Sequence, residues 1–475
     1  MIVEDIYLNI KDILDIKFKF FLSTKNIVRQ FLNISFDILG EGKLNPQIKL
    51  VIDDLESKNM LSKNSVSYTE YRFNSKDIFY NFHLRSYGGD TFSRGFSFDI
   101  NEAVAKALGE FLERDQTRFM NIETNIVHAT LDDIIALSKS KSKSESEDEN
   151  ESENVNYLDI NQFNKPIKAQ MEKFKDRFYW DKDTMFEWVL ATDFINDKQI
   201  YVPAQTACWS HISKYKEPYI FNTTSNGCGA GYSKEEAFKS AVFELVHRDA
   251  FFEYWYNNLS PDIIDQSTIN SPKINNFLEL LKNEGFEIKI TDMTEKAKLP
   301  TACVFLKKET TGYYVGGSTS DTMEGAIYRA IEESFSIYMW QYERVRSGQY
   351  KIDEFVYEKY KNDFIDERLL PSERILFWAS KFFGEDVMSH NKFMFEGKII
   401  KYNNVSTGTD FDLGGFIKKS YKTCIIVNAD KVIDYNYFYT KVLILPMYQL
   451  ALDETLSLPI KDNIYPKNTY PHPFP

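Results

Sequence analysis

Two stretches of this chain repeat one pattern, and a repeat at fixed spacing implies two equivalent structural units. GFSFDINEAVAKALGEFLERD ends at Asp115 and GYSKEEAFKSAVFELVHRD ends at Asp249; read back from their ends, both carry Glu-Ala, Ala, Glu and Arg-Asp in register. Ala103, Ala107, Glu110, Arg114 and Asp115 thereby superpose on Ala237, Ala241, Glu244, Arg248 and Asp249, while Glu113 falls opposite His247.

At about 100° per residue, Ala103, Ala107, Glu110 and Arg114 share one side of a helix, and Val104, Leu108 and Leu112 share the other. Phe238, Val242 and Val246 repeat that apolar side in the second copy. Each helix is therefore expected to bury one face and to present, on the other, small alanines that leave room for a ligand beside a carboxylate and a guanidinium.

A third segment, DTMEGAIYRAIEESFS, repeats the spacing with Ala326, Ala330 and Glu333, with Ile327 and Ile331 opposite. Glycines precede all three: Gly88, Gly89 and Gly95, then Gly227, Gly229 and Gly231, then Gly316 and Gly317. Glycine lets backbone approach a ligand closely, including a phosphate at a helix start. Carboxylates beside arginines suit a magnesium nucleotide, since the metal takes oxygen ligands and the phosphates take guanidinium forks. Glu and Arg four residues apart are also the commonest surface ion pair on any helix, and at this level both readings stand.

Of the 475 residues, 43% are hydrophobic and 27% charged, enough apolar side chain for a globular core. A net charge of -13 repels phosphate backbones and anionic lipid, so neither nucleic acid nor membrane is expected as a partner. No apolar stretch reaches bilayer length, and the opening MIVEDIYLNIKDILDIKFKFF carries acids where a signal peptide carries bases, so a cytoplasmic address is expected. Cys208, Cys228, Cys303 and Cys424 are far apart and suggest neither a disulfide framework nor a zinc site.

Apolar runs such as QIYVPAQTACW, TACVFLKK, KTCIIVNA and KVLILPMY read as strands among helical stretches, giving a mixed α/β sheet protein. The run SKSKSKSESEDENESEN, Ser138 to Asn154, cannot bury a core and reads as a disordered insertion. Residues 1–82 carry no motif and are expected to pack on the remainder.

GEFLERD from Gly109, VPAQ from Val202, SNGCGAGYSKEEA from Ser225, ELVHRDAFFEYW from Glu244, DMTEKAKLP from Asp292 and the helix from Glu324, in that order, resemble the YcaO family. The resemblance runs from about residue 83 to 475. It implies a mixed α/β (α+β) fold of the YcaO type, with repeated sheet-and-helix units around a central ATP site, and ATP and Mg2+ as cofactors. It places nucleotide contacts at Glu110, Arg114, Glu236, Arg248 and Glu333, and metal ligands at Glu110, Glu113, Glu244 and His247.

The terminal PHPFP, Pro471 to Pro475, resembles the proline-rich tail of azoline-forming members, which implies that the Pro475 carboxylate acts as the acid-base group. The implied reaction is ATP-dependent cyclodehydration of Cys, Ser or Thr in a ribosomal precursor peptide to thiazoline or oxazoline, by phosphorylation of the backbone amide oxygen. No room is left for the ubiquitin-activating-enzyme-like domain fused to some relatives. The expected partners are therefore a separate leader-peptide-binding protein of that or winged-helix type and the precursor peptide, with an FMN-dependent azoline dehydrogenase as a further candidate and a homodimer as the assembly.

The chain departs from the family pattern at Gly229, Tyr232, His247, Ser336 and Tyr338. His247 replaces a glutamate, and magnesium prefers oxygen. Read without the motif, His247 is equally a core histidine. Thioamide- or amidine-forming members and a non-catalytic scaffold subunit are the alternative functions.

Overall fold

The computed structural model describes residues 44–86, 91–118, 126–144, 156–160, 163, 172, 179–207, 217–220, 224–309, 311–346, 371–380, 389–431, 437–448, 450, 466–468 and 470–474. Their organising unit is a strand followed by a helix lying on it, and it occurs three times.

In the first unit, an antiparallel three-stranded sheet of β1 (Leu61–Arg72), β2 (Ile78–Ser86) and β3 (Phe92–Ser97) feeds helix α2 (Ile100–Arg118), with α1 (Pro46–Ser57) preceding the sheet. After β4 (Val127–Ala129) and α3 (Leu131–Ser144) come β5 (Asn156–Tyr157), β6 (Phe186–Asp193), β7 (Lys198–Pro203) and β8 (Cys228–Gly231). β8 starts the second unit by leading into the 24-residue α4 (Lys234–Asn257). Next are β9 (Asp262–Asp265), α5 (Pro272–Asn283), β10 (Glu287–Asp292), β11 (Thr301–Lys307) and β12 (Tyr313–Thr319), and β12 passes to α6 (Met323–Arg346) as the third unit. The last elements are α7 (Pro371–Ala379), β13 (Ile399–Lys401), α8 (Leu413–Ser420), β14 (Thr423–Lys431) and β15 (Phe438–Leu445).

The sheets run β5-β7-β6-β14-β15-β8, with β4 on β6, and β12-β11-β10-β9-β13. The strands read from QIYVPAQTACW, TACVFLKK, KTCIIVNA and KVLILPMY are β7, β11, β14 and β15, so the mixed α/β expectation holds.

What joins strand to helix in each unit is a glycine. A Cβ on Gly95 would stand 1.9 Å from the Ala103 carbonyl oxygen, one on Gly229 2.3 Å from that of Ala237, and one on Gly316 2.5 Å from that of Ala330. No side chain fits there, so the strand backbone rests on the helix backbone, and small residues on the helix are what admit it. The space that the alanines leave is filled by protein: Ala103, Ala107, Ala237 and Ala241 are wholly buried under their own strands. This corrects the expectation that the alanine face is the floor of a ligand site.

The same contacts correct the third repeat. Gly95 sits over Ala103 and Ala107, Gly229 over Ala237 and Ala241, and Gly316 over Ala330 and Ser334. The structural equivalent of Ala103 is thus Ala330, one helical turn beyond Ala326, and Glu333 stands level with Lys106 and Ser240. The longer connection between β12 and α6 shifts the helix, and a pattern read from the helix alone cannot register it.

Two boundaries also move. The division at residue 82 falls within β2, whose Phe82 pairs with Gly95, so the end of the N-terminal region belongs to the first unit. The first seven residues of the polar run are the last two turns of α3, which starts from a reciprocal cap between Thr130 and Asp133 and meets no helix breaker; residues 145–154 lie outside the described residues, as do 1–43, Gly88, Gly89 and Cys208. Cys228, Cys303 and Cys424 are buried.

Candidate functional site

The three strand-helix units leave between them a cavity of about 740 Å3, whose lining draws on β3, α2, α4, β12 and α6. Each unit also aims a helix carboxylate at a backbone amide in its strand or in the turn just before it. Glu110 accepts from the Arg94 backbone N–H at 2.6 Å, Glu244 from that of Gly227 at 3.1 Å and Glu333 from that of Gly317 at 2.7 Å. These hydrogen bonds fix three carboxylates without neutralising them.

On the first helix, Arg114 answers Glu110 with an ion pair of 2.6 Å and donates to the Phe92 carbonyl. The surface-pair geometry considered for Glu and Arg four residues apart is thus realised, but at the wall of a cavity. On the second helix the pair is not repeated: Arg248 reaches across to Glu333 on α6, 3.7 Å away. Glu236 is held near the start of α4, where it accepts from the Tyr232 N–H while Ser233 accepts from the Glu236 N–H.

Glu110, Arg114, Glu236, Glu244, His247, Arg248 and Glu333 all line the cavity. Glu113 is not part of the lining, yet it feels the site: burial, then the charges of Glu244 and Glu110, push its carboxyl up to about 8. Burial raises Glu244 and Glu333 too, against the pull of Arg248. Carboxylates that burial first, and one another's charge second, keep from ionising are ones a cation would favour. Arg248 supplies the complementary observation, since its Nε and Nη1 are buried without a partner. One group with both signs, a phosphate carrying a divalent cation, satisfies both deficits.

Among the described residues no three His, Cys, Asp or Glu side chains converge closely enough to hold a metal by themselves. Magnesium keeps several waters and takes phosphate oxygens, so Glu110, Glu244 and their neighbours suit it as partial ligands. His247 is buried and, through burial and then Arg248, held well below the usual imidazole range, so it is neutral; its Nε2 has no hydrogen-bond partner.

Five further cations belong to the site and were not singled out from sequence. Arg94, Lys106, Lys239 and Arg329 line the cavity. Lys441, buried in β15, donates to the carbonyls of Thr224 and Asn226 at 2.8 and 2.5 Å and draws down both Glu113 and Glu244. A lone lysine within the apolar run FYTKVLIL was the signal for it.

The departures have separate fates. Gly229 is the strand glycine of the second unit, Tyr232 is 70% exposed, Ser336 lines the cavity, and Tyr338 is packed among Tyr71, Phe286 and Phe335.

The C-terminal tail comes to the same place. Trp255, Trp378 and Arg374 donate to the carbonyls of Tyr470, Pro471 and His472 at 3.2, 3.1 and 3.0 Å. Beyond them Phe474, fully buried, lies on the Arg248 guanidinium at 3.9 Å and edge-on to His247 at 5.3 Å. Pro475 lies outside the described residues.

Comparison with known proteins agrees with this geometry. The family model described as YcaO cyclodehydratase, ATP- and Mg2+-binding, matches residues 94–398. An uncharacterized protein of Methanothermobacter thermautotrophicus is 23% identical over 157 residues, 32% of this chain and 41% of that relative, so the match spans less than half of its length. Among solved structures, a heterocyclase in complex with substrate and cofactor superposes with a TM-score of 0.59 at 16% identity, over 83% of this chain and 52% of its own. YcaO from Methanopyrus kandleri bound with AMPPCP and Mg2+ gives 0.55 at 15%, over 86% and 93%. The E. coli microcin synthetase McbBCD complex with pro-MccB17 bound gives 0.58 at 14%, over 86% and 96%. At such identities these superpositions speak for the fold. Among the described residues no helix is long and apolar enough to cross a membrane.

Proposed function

The chain belongs to the YcaO family, whose members bind ATP and Mg2+, and on that premise we propose that it cyclises Cys, Ser or Thr residues of a ribosomal precursor peptide to thiazoline or oxazoline. The observation that carries this reading is the tail. Phe474 is buried against two cavity-lining residues, Arg248 and His247, which supports a role at the site for Pro475, the next residue in sequence.

In the reaction the substrate thiol or hydroxyl adds to the preceding carbonyl carbon, the oxygen takes the γ-phosphoryl group of ATP with release of ADP, and phosphate departs as the C–N double bond forms and the amide proton leaves. The residues divide that work. Glu110 and Glu244 would hold magnesium in part, with Glu113 adding its charge from outside the lining; Arg114, Glu236, Arg248 and Glu333 would bind and orient the nucleotide. The Pro475 carboxylate moves the protons of attack and ring closure, which demands a rigid tail. Three indole or guanidinium donors on consecutive tail carbonyls provide that rigidity.

The neighbour solved as the microcin synthetase McbBCD complex with pro-MccB17 bound supports a separate leader-binding partner, of ubiquitin-activating-enzyme-like or winged-helix type. A homodimer in the cytoplasm, with an FMN-dependent azoline dehydrogenase acting afterwards, completes the proposal.

The test combines the chain, the partner, a Cys/Ser/Thr-rich precursor and magnesium ATP, and reads the peptide mass. Loss of one water per ring, abolished by deleting Pro475, is expected. An unchanged peptide with no phosphate release would leave a scaffold subunit, and exchange of oxygen for sulfur, given a sulfide donor, would point to thioamide formation.

A further inference from the structure

Phe474 makes a contact that proton transfer by its neighbour does not require. The guanidinium carbon of Arg248 stands over the Phe474 ring, 3.9 Å from the centroid. The ring is itself immobilised, edge-on to Phe251 at 4.6 Å and to His247 at 5.3 Å, behind tail carbonyls anchored by Trp255, Trp378 and Arg374.

A guanidinium stacks through its faces and donates in its plane, so the phenyl ring orients Arg248 without consuming a hydrogen bond. Of the in-plane donors, Nη2 is directed to Glu333 at 3.7 Å, and Nε and Nη1 are buried with no partner. Donors left unpaired in a buried site are costly. A phosphate oxygen is the acceptor that a fork of this geometry matches.

We propose that Phe474 is a positioning residue for the nucleotide: the seated tail holds Arg248 in the orientation a phosphate needs, so that tail seating and nucleotide binding strengthen each other. This rests on the nucleotide reading of the cavity, but on neither ring formation nor the role of Pro475. Because linkage is reciprocal, each of the two events must report the other.

The experiment uses the full chain and magnesium AMPPCP, which binds without being turned over. Calorimetry compares wild type with Phe474→Tyr, which keeps an aromatic face, and Phe474→Leu, which keeps apolar bulk and loses it. The leucine variant is expected to bind about three- to thirtyfold more weakly and the tyrosine variant within about twofold of wild type. In unmodified protein, magnesium AMPPCP is expected to slow hydrogen exchange at the His472 and Phe474 amides. Wild-type affinity in Phe474→Leu, or tail exchange indifferent to nucleotide, overturns the proposal while leaving the nucleotide site intact. No binding by wild type would instead overturn the nucleotide reading of the cavity, and the proposal with it.

Discussion

Gly317 is the residue that makes room for His247: a Cβ at position 317 would lie 2.0 Å from Nε2 of the imidazole. The ring cannot swing aside, since it is buried and packed against Phe474. Gly317→Ala is therefore expected to destabilise the protein by about 1–3 kcal/mol. His247→Ala should recover part of the loss, giving a coupling on the order of 1 kcal/mol in a double-mutant cycle followed by urea unfolding. A Gly317→Ala protein as stable as wild type would mean that the imidazole has a second seat.

The raised carboxylates predict a pH signature. Glu113 titrates near 8 in the folded chain, above its ordinary 4.5, and Glu244 and Glu333 are raised as well. A group whose folded value is raised stabilises most below its unfolded value and loses that contribution as pH rises through the folded one. Nucleotide-free protein should lose this stability between about pH 4.5 and 8. A bound cation favours the ionised form, so magnesium AMPPCP should release protons at neutral pH and bind more tightly as pH rises from 6 to 8. Calorimetry in two buffers of different ionisation enthalpy counts the protons, and a count of zero would refute the arrangement.

Glu110 serves both an amide and a guanidinium. Glu110→Gln keeps an acceptor for the Arg94 N–H and removes the charge, so magnesium AMPPCP affinity should fall at least tenfold, about 1.4 kcal/mol, with little change in melting temperature. Melting measured beside nucleotide titration separates these effects; equal losses in both would make Glu110 structural.

Trp378 holds the tail through its indole N–H, which donates to the Pro471 carbonyl. Trp378→Phe keeps a ring and deletes the donor, at a cost of about 1–3 kcal/mol for the orphaned carbonyl. Hydrogen exchange at the His472 amide should quicken by roughly fivefold or more, and unchanged exchange would remove Trp378 from the anchor.

Much of the first two helices was legible because helical periodicity is local: the pattern that aligned Glu110 with Glu244 also aligned Ala103 with Ala237, and both alanines lie under equivalent glycines. The third copy slipped by a turn because its register is set by the path from β12 to α6 and by Gly316 on Ala330, a contact between segments that periodicity does not relate. Arg94 and Lys441 escaped notice for a similar reason, since single cations on strands carry no spacing signal until sheets bring them to the carboxylates.

The sequence by itself determined the duplicated carboxylate-arginine helices, the strands between them and the family resemblance, because backbone periodicity and residue order need no long-range information. Tertiary structure alone decided that Arg248 crosses to Glu333 instead of pairing along its own helix, that the alanines seat strands rather than a ligand, and that Phe474 ends on Arg248, more than two hundred residues away in sequence. Each of these depends on which charged or aromatic surface is nearest once water has been excluded, and chain folding, not chain order, sets that distance.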